Sequence, residues 1–172
     1  QDDSYALDIL RNAEKKLGNK QSIKQLAQKN PDDFDLAIDY LAILQNENDY
    51  AGMNKVLAYW LEDRSHGYYK MDNIEQFVIP ELGEEKYRYY LEQCIRLLDS
   101  FSAYKKLRKL IDKDEVKRLT EQIKNYDLIH KIYLHEKWYD KILEYLKNQN
   151  IRNEYGFSLN YNKYIKDIEH IY

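Results

Sequence analysis

Histidine and glutamate stand side by side at His135 and Glu136, the pair that opens the zinc-protease helix H-E-x-x-H. In that helix two histidines four residues apart bind the metal, and the glutamate acts as the base. Tyr139 occupies the place of the second histidine. His130 precedes His135 by five residues, which puts the two rings roughly 140° apart around a helix. The sequence therefore predicts no metal site and no cofactor.

Tyr133 and Lys137 are four residues apart, the spacing with which short-chain dehydrogenases use a lysine to activate a catalytic tyrosine. That chemistry also needs a glycine-rich dinucleotide loop after a strand, and this sequence has none. Cys94 lies on an apolar stripe with no base near it in the sequence, so we expect a buried structural thiol. We predict that the chain is not an enzyme.

The densest positive charge in the chain lies between residues 105 and 118. A basic helix flanked by aromatic residues can bind phosphates and stack on bases. The same charges alternate with Leu107, Leu110 and Ile111, as on the solvated face of an amphipathic helix, and three nearby acids partly cancel them. The solvated face is favoured, and nucleic-acid contact stays open. The basic residues are Lys105, Lys106, Arg108, Lys109, Lys113, Lys117 and Arg118.

The composition is that of a folded, helical protein. Hydrophobic residues make up 44% of the 172 residues and charged residues 33%, which argues against disorder. The five Gly and two Pro leave few sites for tight turns, which disfavours all-β folds and nucleotide-binding α/β folds. The net charge of −3 gives no overall attraction to nucleic acid or to an anionic membrane.

Other features bear on where the protein works. A single cysteine excludes an internal disulfide and favours a reducing compartment, so we expect a cytoplasmic location. No apolar run approaches the roughly 20 residues that span a bilayer, so no membrane partner is expected. The chain begins Gln1-Asp2-Asp3-Ser4 without Met, and we expect it to be a fragment of a longer protein. The oligomeric state stays open.

Apolar residues recur at helical spacing along most of the chain. The first predicted helix carries Ala6, Ile9, Leu10, Ala13 and Leu17 on one face. Amphipathic helices cannot bury such faces alone, so we expect each one to pack against its sequence neighbours. The predicted segments are 4–17, 21–29, 33–45, 49–63, a short helix before residue 80, a run over 84–111 that could form one helix bent near 100–102, a run from 116 into 133, 138–146 and 161–171.

Two segments repeat one arrangement, a helix, a short polar break holding an aromatic residue, and a second helix. The aromatic residue is Tyr50 in one segment and Trp138 in the other. In this respect residues 33–63 and 126–148 resemble tetratricopeptide-type and related α-solenoid repeats, and they cover about a third of the chain. The resemblance implies paired helices that stack to form a concave groove. No binding residues carry over from it.

We therefore predict an all-α fold of antiparallel helix pairs, stacked as a short α-solenoid or layered helical bundle, with residues 1–172 forming one domain. The expected function is a non-catalytic interaction or scaffold module that binds a peptide or helix of a protein partner. A nucleic-acid-associated helical domain using residues 105–118 is the alternative. The 18 tyrosines suit recognition surfaces, although genome composition also explains them. Candidate binding residues are the aromatic Tyr40, Tyr126 and Tyr133 and the basic Lys105 and Arg108.

Overall fold

The computed structural model describes residues 2–62, 71 and 73–144. Within these ranges the protein is all-α and contains no strand, which confirms the predicted fold class. The predicted last helix at 161–171 lies outside the described residues. The helices are α1 (Asp2–Leu17), α2 (Lys20–Lys29), α3 (Phe34–Asn46), α4 (Tyr50–Glu62), α5 (Glu84–Leu98), α6 (Phe101–Leu107), α7 (Lys113–Gln122) and α8 (Tyr126–Glu136), with 3₁₀ helices at Ile74–Phe77 and Pro80–Leu82 and a further helical segment at 139–144.

The chain divides into two compact units, residues 1–118 and 119–172, and the boundary falls within α7. The first unit contains α1 to α6 and both 3₁₀ helices, and the second contains α8. That residues 1–172 form a single domain stays a prediction.

Helices α3 and α4 form the first helix pair that the sequence predicts. The Asp33 side chain caps α3 by accepting a hydrogen bond from the Leu36 N–H at 2.8 Å. Asp49 caps α4 in the same way, with the Gly52 N–H at 2.8 Å. Asn48 in the turn has a φ of 57°, in the left-handed region that Asn tolerates. Both caps satisfy N–H groups that have no partner within the helix.

Contacts near the helix ends show that α3, α4 and α5 run antiparallel to one another in succession. Phe34 at the start of α3 packs edge-on against Trp60 near the end of α4, with ring centroids 5.0 Å apart. The Lys86 ammonium at the start of α5 lies 3.7 Å from the Glu62 carboxylate at the end of α4. The predicted antiparallel arrangement is therefore present in α3, α4 and α5.

Helices α2 and α3 are also antiparallel. Lys24 in the first half of α2 pairs with Glu47, which follows the end of α3. Gln28 near the end of α2 donates a hydrogen bond to the Tyr40 hydroxyl in the middle of α3, at 3.2 Å. Successive helices from α2 to α5 thus alternate in direction, as expected for stacked helix pairs.

The core of the first unit lies where α3, α4 and α5 meet. Burial of each large apolar side chain stabilises the fold by about 1.5–3 kcal/mol. The Tyr90 hydroxyl, which cannot reach water, donates to the Asn54 carbonyl at 3.0 Å, and burial raises the pKa of Tyr90 to about 12. The largest fully buried side chains are Trp60, Tyr90, Tyr104, Leu36, Leu41, Leu44, Met53, Leu57, Leu61, Ile74, Leu91 and Ile95.

The periodic run over 84–111 forms two helices, so the prediction of one long helix is wrong. Asp99 ends α5 with a φ of 52°, and Ser100 begins α6 by accepting from the Ala103 N–H at 3.0 Å. The break coincides with the predicted bend. Apolar spacing continues through the break because α5 and α6 both pack against the same core.

The described part of the second unit includes α8 and the helical segment at 139–144, where the sequence predicts the other helix pair; residues 145–148 of that pair lie outside the described residues. Its described buried residues include Leu119, Leu128, Ile132 and Ile142. A continuous helix from 116 into 133 is wrong, because Asn125 interrupts it. The Asn125 side chain caps α8 by accepting from the N–H groups of residues 127 and 128, at 2.9 and 3.3 Å.

Candidate functional site

Three of the predicted binding residues lie in the first unit. Tyr40 is half-buried on α3, where its hydroxyl accepts from Gln28 of α2. The Lys105 ammonium lies over the Phe101 ring, 5.6 Å from its centroid. Arg108 donates to the Ile111 carbonyl at 2.9 Å. Tyr40 is thus engaged with α2, whereas Lys105 and Arg108 are engaged within α6 and the turn after it, so these contacts do not join the three residues into one site.

The other two predicted residues, Tyr126 and Tyr133, belong to the second unit. Tyr126 is the first residue of α8, and its side chain is exposed. Tyr133 is half-buried and lies against Trp138, with ring centroids 5.8 Å apart. The Tyr133 and Trp138 contact closes the turn at the end of α8, where Lys137 has a φ of 58°.

The basic segment over 105–118 shows several local contacts. Lys106 pairs with Glu75 at 3.0 Å, and Lys117 pairs with Asp114 at 3.1 Å. Burial alone would raise the pKa of Glu75, but hydrogen bonds from Ser100, Lys106 and Ser102 outweigh it and hold the pKa below its ordinary value. Part of the positive charge is therefore neutralised within the first unit.

Helix α1 carries four of the nine large hydrophobic side chains that are exposed among the described residues. Leu17 is 78% exposed, Tyr5 72%, Ile9 54% and Leu10 44%. Because a helix turns once every 3.6 residues, these side chains share one side with two exposed alanines. We call this side the outer face of α1; its residues are Tyr5, Ala6, Ile9, Leu10, Ala13 and Leu17. As expected, α1 packs against its sequence neighbour α2, but the large side chains of its predicted apolar face stay exposed.

Ion pairs hold the opposite side of α1 against α3. The Arg11 side chain, only 15% exposed, reaches Asp39 at 2.7 Å and Asp35 at 3.2 Å. Lys15 also pairs with Asp39 at 2.7 Å. Burial alone would lower the pKa of Arg11, but the hydrogen bond and charge of Asp39 outweigh it and raise the pKa. α1 therefore turns its ionic side inward and its apolar side outward, the reverse of the usual amphipathic pattern.

An open groove of about 530 Å³ runs beside the outer face. Leu7 and Leu10 of α1 form one wall, and residues 29–33 form the other. Asp32 at the rim is exposed and accepts a hydrogen bond from the Tyr59 hydroxyl, which fixes the carboxylate in place. The groove and the outer face together offer an elongated apolar surface with a charged rim.

Most apolar residues of this surface could be predicted from the sequence, but their exposure could not. The missed signal was the charge on the other side of α1, because Arg11 and Lys15 are one turn apart, as are Asp35 and Asp39 of α3. When two helices pack together, two such pairs can form ion pairs across the contact. These ion pairs can orient a helix so that its apolar side faces solvent. Tyr5 was also missed.

Among the described residues, Cys94 is fully buried. Burial raises the pKa of the Cys94 thiol to about 12, so Cys94 stays protonated at neutral pH. No group of three or more His, Cys, Asp or Glu side chains in the described ranges could hold a metal ion. Among these same residues, no helix has the length and apolar character needed to cross a membrane.

Comparisons of the chain with protein-family models, with curated proteins and with solved structures found no match.

Proposed function

We propose that the chain is a non-catalytic interaction module that binds an amphipathic helix of a protein partner along the outer face of α1. The single observation that carries this proposal is the inverted orientation of α1. Arg11 and Lys15 pair with Asp35 and Asp39 of α3, and four large apolar side chains of α1 face solvent.

Burying the outer face of α1 against a partner is favourable in free energy. Moving a large apolar side chain from water to a packed contact is worth up to about 1.5–3 kcal/mol. Contiguous exposed apolar patches on soluble proteins commonly mark interaction sites. Since Ile9, Ala13 and Leu17 follow each other at intervals of four residues, the apolar side chains form a continuous stripe along α1 rather than scattered contacts.

The geometry of the outer face fits a helix. From Tyr5 to Leu17 the face is about 18 Å long, and helices pack with their axes roughly 8–10 Å apart. Anchors at intervals of three and four residues are the pattern by which a helix lies in a groove. A peptide that binds as an added strand needs a sheet edge, and the described part of the chain offers no strand.

A tetratricopeptide-like scaffold role agrees with the alternating directions of α2 to α5, and the single cysteine agrees with a cytoplasmic location. The side chains predicted as contacts lie elsewhere than the outer face and stay predictions; they are Tyr40, Tyr126, Tyr133, Lys105 and Arg108. The nucleic-acid alternative also stays a prediction, and no contact in the described residues favours it.

The test uses a synthetic helical peptide of about 16 residues, long enough to cover α1 at 1.5 Å per residue, with leucines three and four positions apart. Its binding is measured by fluorescence anisotropy. We expect the double variant Ile9→Lys with Leu17→Lys to weaken binding at least about tenfold, because two apolar anchors are lost. The matched control, Leu97→Lys with Leu110→Lys, alters two exposed leucines outside α1 and should bind like the unmodified chain.

Circular dichroism establishes that both double variants keep their helix content. The proposal fails if the peptide does not bind the unmodified chain. It also fails if the α1 variant and the control variant bind equally well, or if a scrambled peptide without the leucine stripe binds as tightly.

A further inference from the structure

We infer that the helix bound on the outer face of α1 carries Asp or Glu at the end that covers Leu17, where its carboxylate meets Lys16 and Lys20. This inference rests on the proposed function and specifies the chemistry of the partner. We call these two residues the lysine pair. Both are exposed, and they lie at one end of the outer face.

Lys16 lies along the exposed apolar stripe of α1. It follows Ile9 by seven residues, close to two turns of a helix, so the two residues lie within roughly 20° of each other around α1. Leu17, the most exposed of the large apolar side chains, is the next residue. Glu14 is two residues away and therefore lies roughly 160° from Lys16 around the helix. A helix that covers Leu17 thus passes beside the Lys16 ammonium.

Lys20 follows Leu17 by three residues and is the first residue of α2. The first turn of α2 contains no acidic residue. A lysine is normally unfavourable at this place, because the start of a helix carries a partial positive charge of its own. The neutral side chain of Asn19 caps α2 by accepting from the Ser22 N–H at 3.2 Å. The stability of α2 therefore does not account for a lysine at position 20.

The neighbouring lysines are paired with carboxylates, whereas the lysine pair is not. Lys15 pairs with Asp39 at 2.7 Å, and Lys24 pairs with Glu47. Within residues 2–62, 71 and 73–144, no carboxylate forms an ion pair with either member of the lysine pair. Two unbalanced ammonium groups give this end of the outer face a positive potential, which attracts a carboxylate on a docked helix.

A docked helix brings its own side chains within reach of these ammonium groups. Helices pack with their axes roughly 8–10 Å apart, so the flank of the bound helix lies beside the flank of α1. The long apolar stem of a lysine can lie along that contact while its charged end reaches the partner's carboxylate. Because the lysine pair lies at one end only, it also determines which end of the partner covers Leu17.

The experiment compares three synthetic helical peptides that share one leucine stripe and carry Glu, Gln or Lys at two flanking positions near one end. We expect the Glu peptide to bind the unmodified chain roughly two- to fivefold more tightly than the Gln peptide, the range for exposed ion pairs, and the Lys peptide to bind most weakly. Added salt should reduce this preference. Lys16→Gln with Lys20→Gln should abolish it, because the variant keeps long polar side chains but loses both charges.

A second measurement tests the position of the carboxylate. A nitroxide attached to the Glu end of the peptide should broaden the amide signals of residues 16–20 more than those of residues 5–9 in nuclear magnetic resonance spectra. The matched control, Lys109→Gln with Lys113→Gln, removes two exposed lysines outside α1 and α2 and should keep the Glu preference.

Equal binding of the three peptides, or stronger broadening at residues 5–9, overturns this inference while the proposed function stands. Absence of binding by all three peptides means that the proposed function itself is wrong. A dimer in sedimentation that the Ile9→Lys with Leu17→Lys variant dissolves would identify a second copy as the occupant and overturn the inference.

Discussion

Gly52 lies in the first turn of α4, beside the residue that caps this helix. A Cβ atom at this position would lie 2.6 Å from an Asp49 carboxylate oxygen and 2.9 Å from a methyl carbon of buried Leu44. Asp49 must keep its position because it caps α4 through the Gly52 N–H. Close packing around the cap therefore favours glycine at position 52. The Gly52 backbone is helical, so its conformation alone would not call for glycine.

Gly52→Ala is predicted to lower the free energy of unfolding by about 1 kcal/mol, measured by urea denaturation. The lost cap costs about 0.5–2 kcal/mol and displacement of Leu44 about 1 kcal/mol or more, against about 1 kcal/mol gained from the helix propensity of alanine. In an Asp49→Ala background the same substitution should cost less, since the cap is already gone. An equal loss in both backgrounds would show that the cap is irrelevant to Gly52.

Among the helices, α1 is held differently from α3, α4 and α5. The latter three meet through large apolar side chains, whereas the described contacts of α1 with α3 are ion pairs of Arg11 and Lys15. No side chain of α1 described here is fully buried. Because α1 buries none of its described side chains fully, it should open at lower free energy than the core helices, even though it also packs against α2.

Asp39→Asn is predicted to make α1 open more readily, by about 1–2 kcal/mol, because Arg11 and Lys15 lose a shared partner that is only 13% exposed. Amide hydrogen exchange measures this as faster exchange in residues 5–17, with α4 and α5 unchanged. Asp114→Asn, which removes an exposed pair, is the control and should leave α1 unaffected. Uniformly faster exchange throughout the first unit would contradict a local role for these ion pairs.

The helix caps could be predicted from the sequence, whereas the orientation of α1 could not. Asp33 and Asp49 each act on an N–H group three residues away, so a short window of sequence contains the whole cap. The break at Asp99 is harder to predict because it depends on a left-handed φ in a residue other than glycine. Which face of α1 packs inward depends on Asp35 and Asp39. These residues lie too far along the chain from α1 to be included when apolar periodicity is examined locally.

At the scale of the whole molecule, charge separates the two proposed roles. The net charge is −3, and Lys106 and Lys117 of the basic segment already have acidic partners. A phosphate-binding protein loses affinity steeply as salt rises, because each phosphate contact releases counterions. A protein that binds through the outer face of α1 should show little of this dependence.

We therefore expect weak retention of the chain on a heparin column, with little change in the Lys105→Gln with Lys109→Gln variant. Chromatography over a salt series measures both. Strong retention that this variant abolishes would favour the nucleic-acid alternative over a helix-binding module.

Because its apolar side faces solvent, α1 carries residues that the proposed function needs but that folding does not. Replacing Ile9 or Leu17 with a polar residue removes no buried contact, since both side chains face water. In a mutational scan such alleles should accumulate in the cell as abundantly as the parent, or more so, while losing their phenotype. The positions under selection for activity alone would thus trace a single line along one helix.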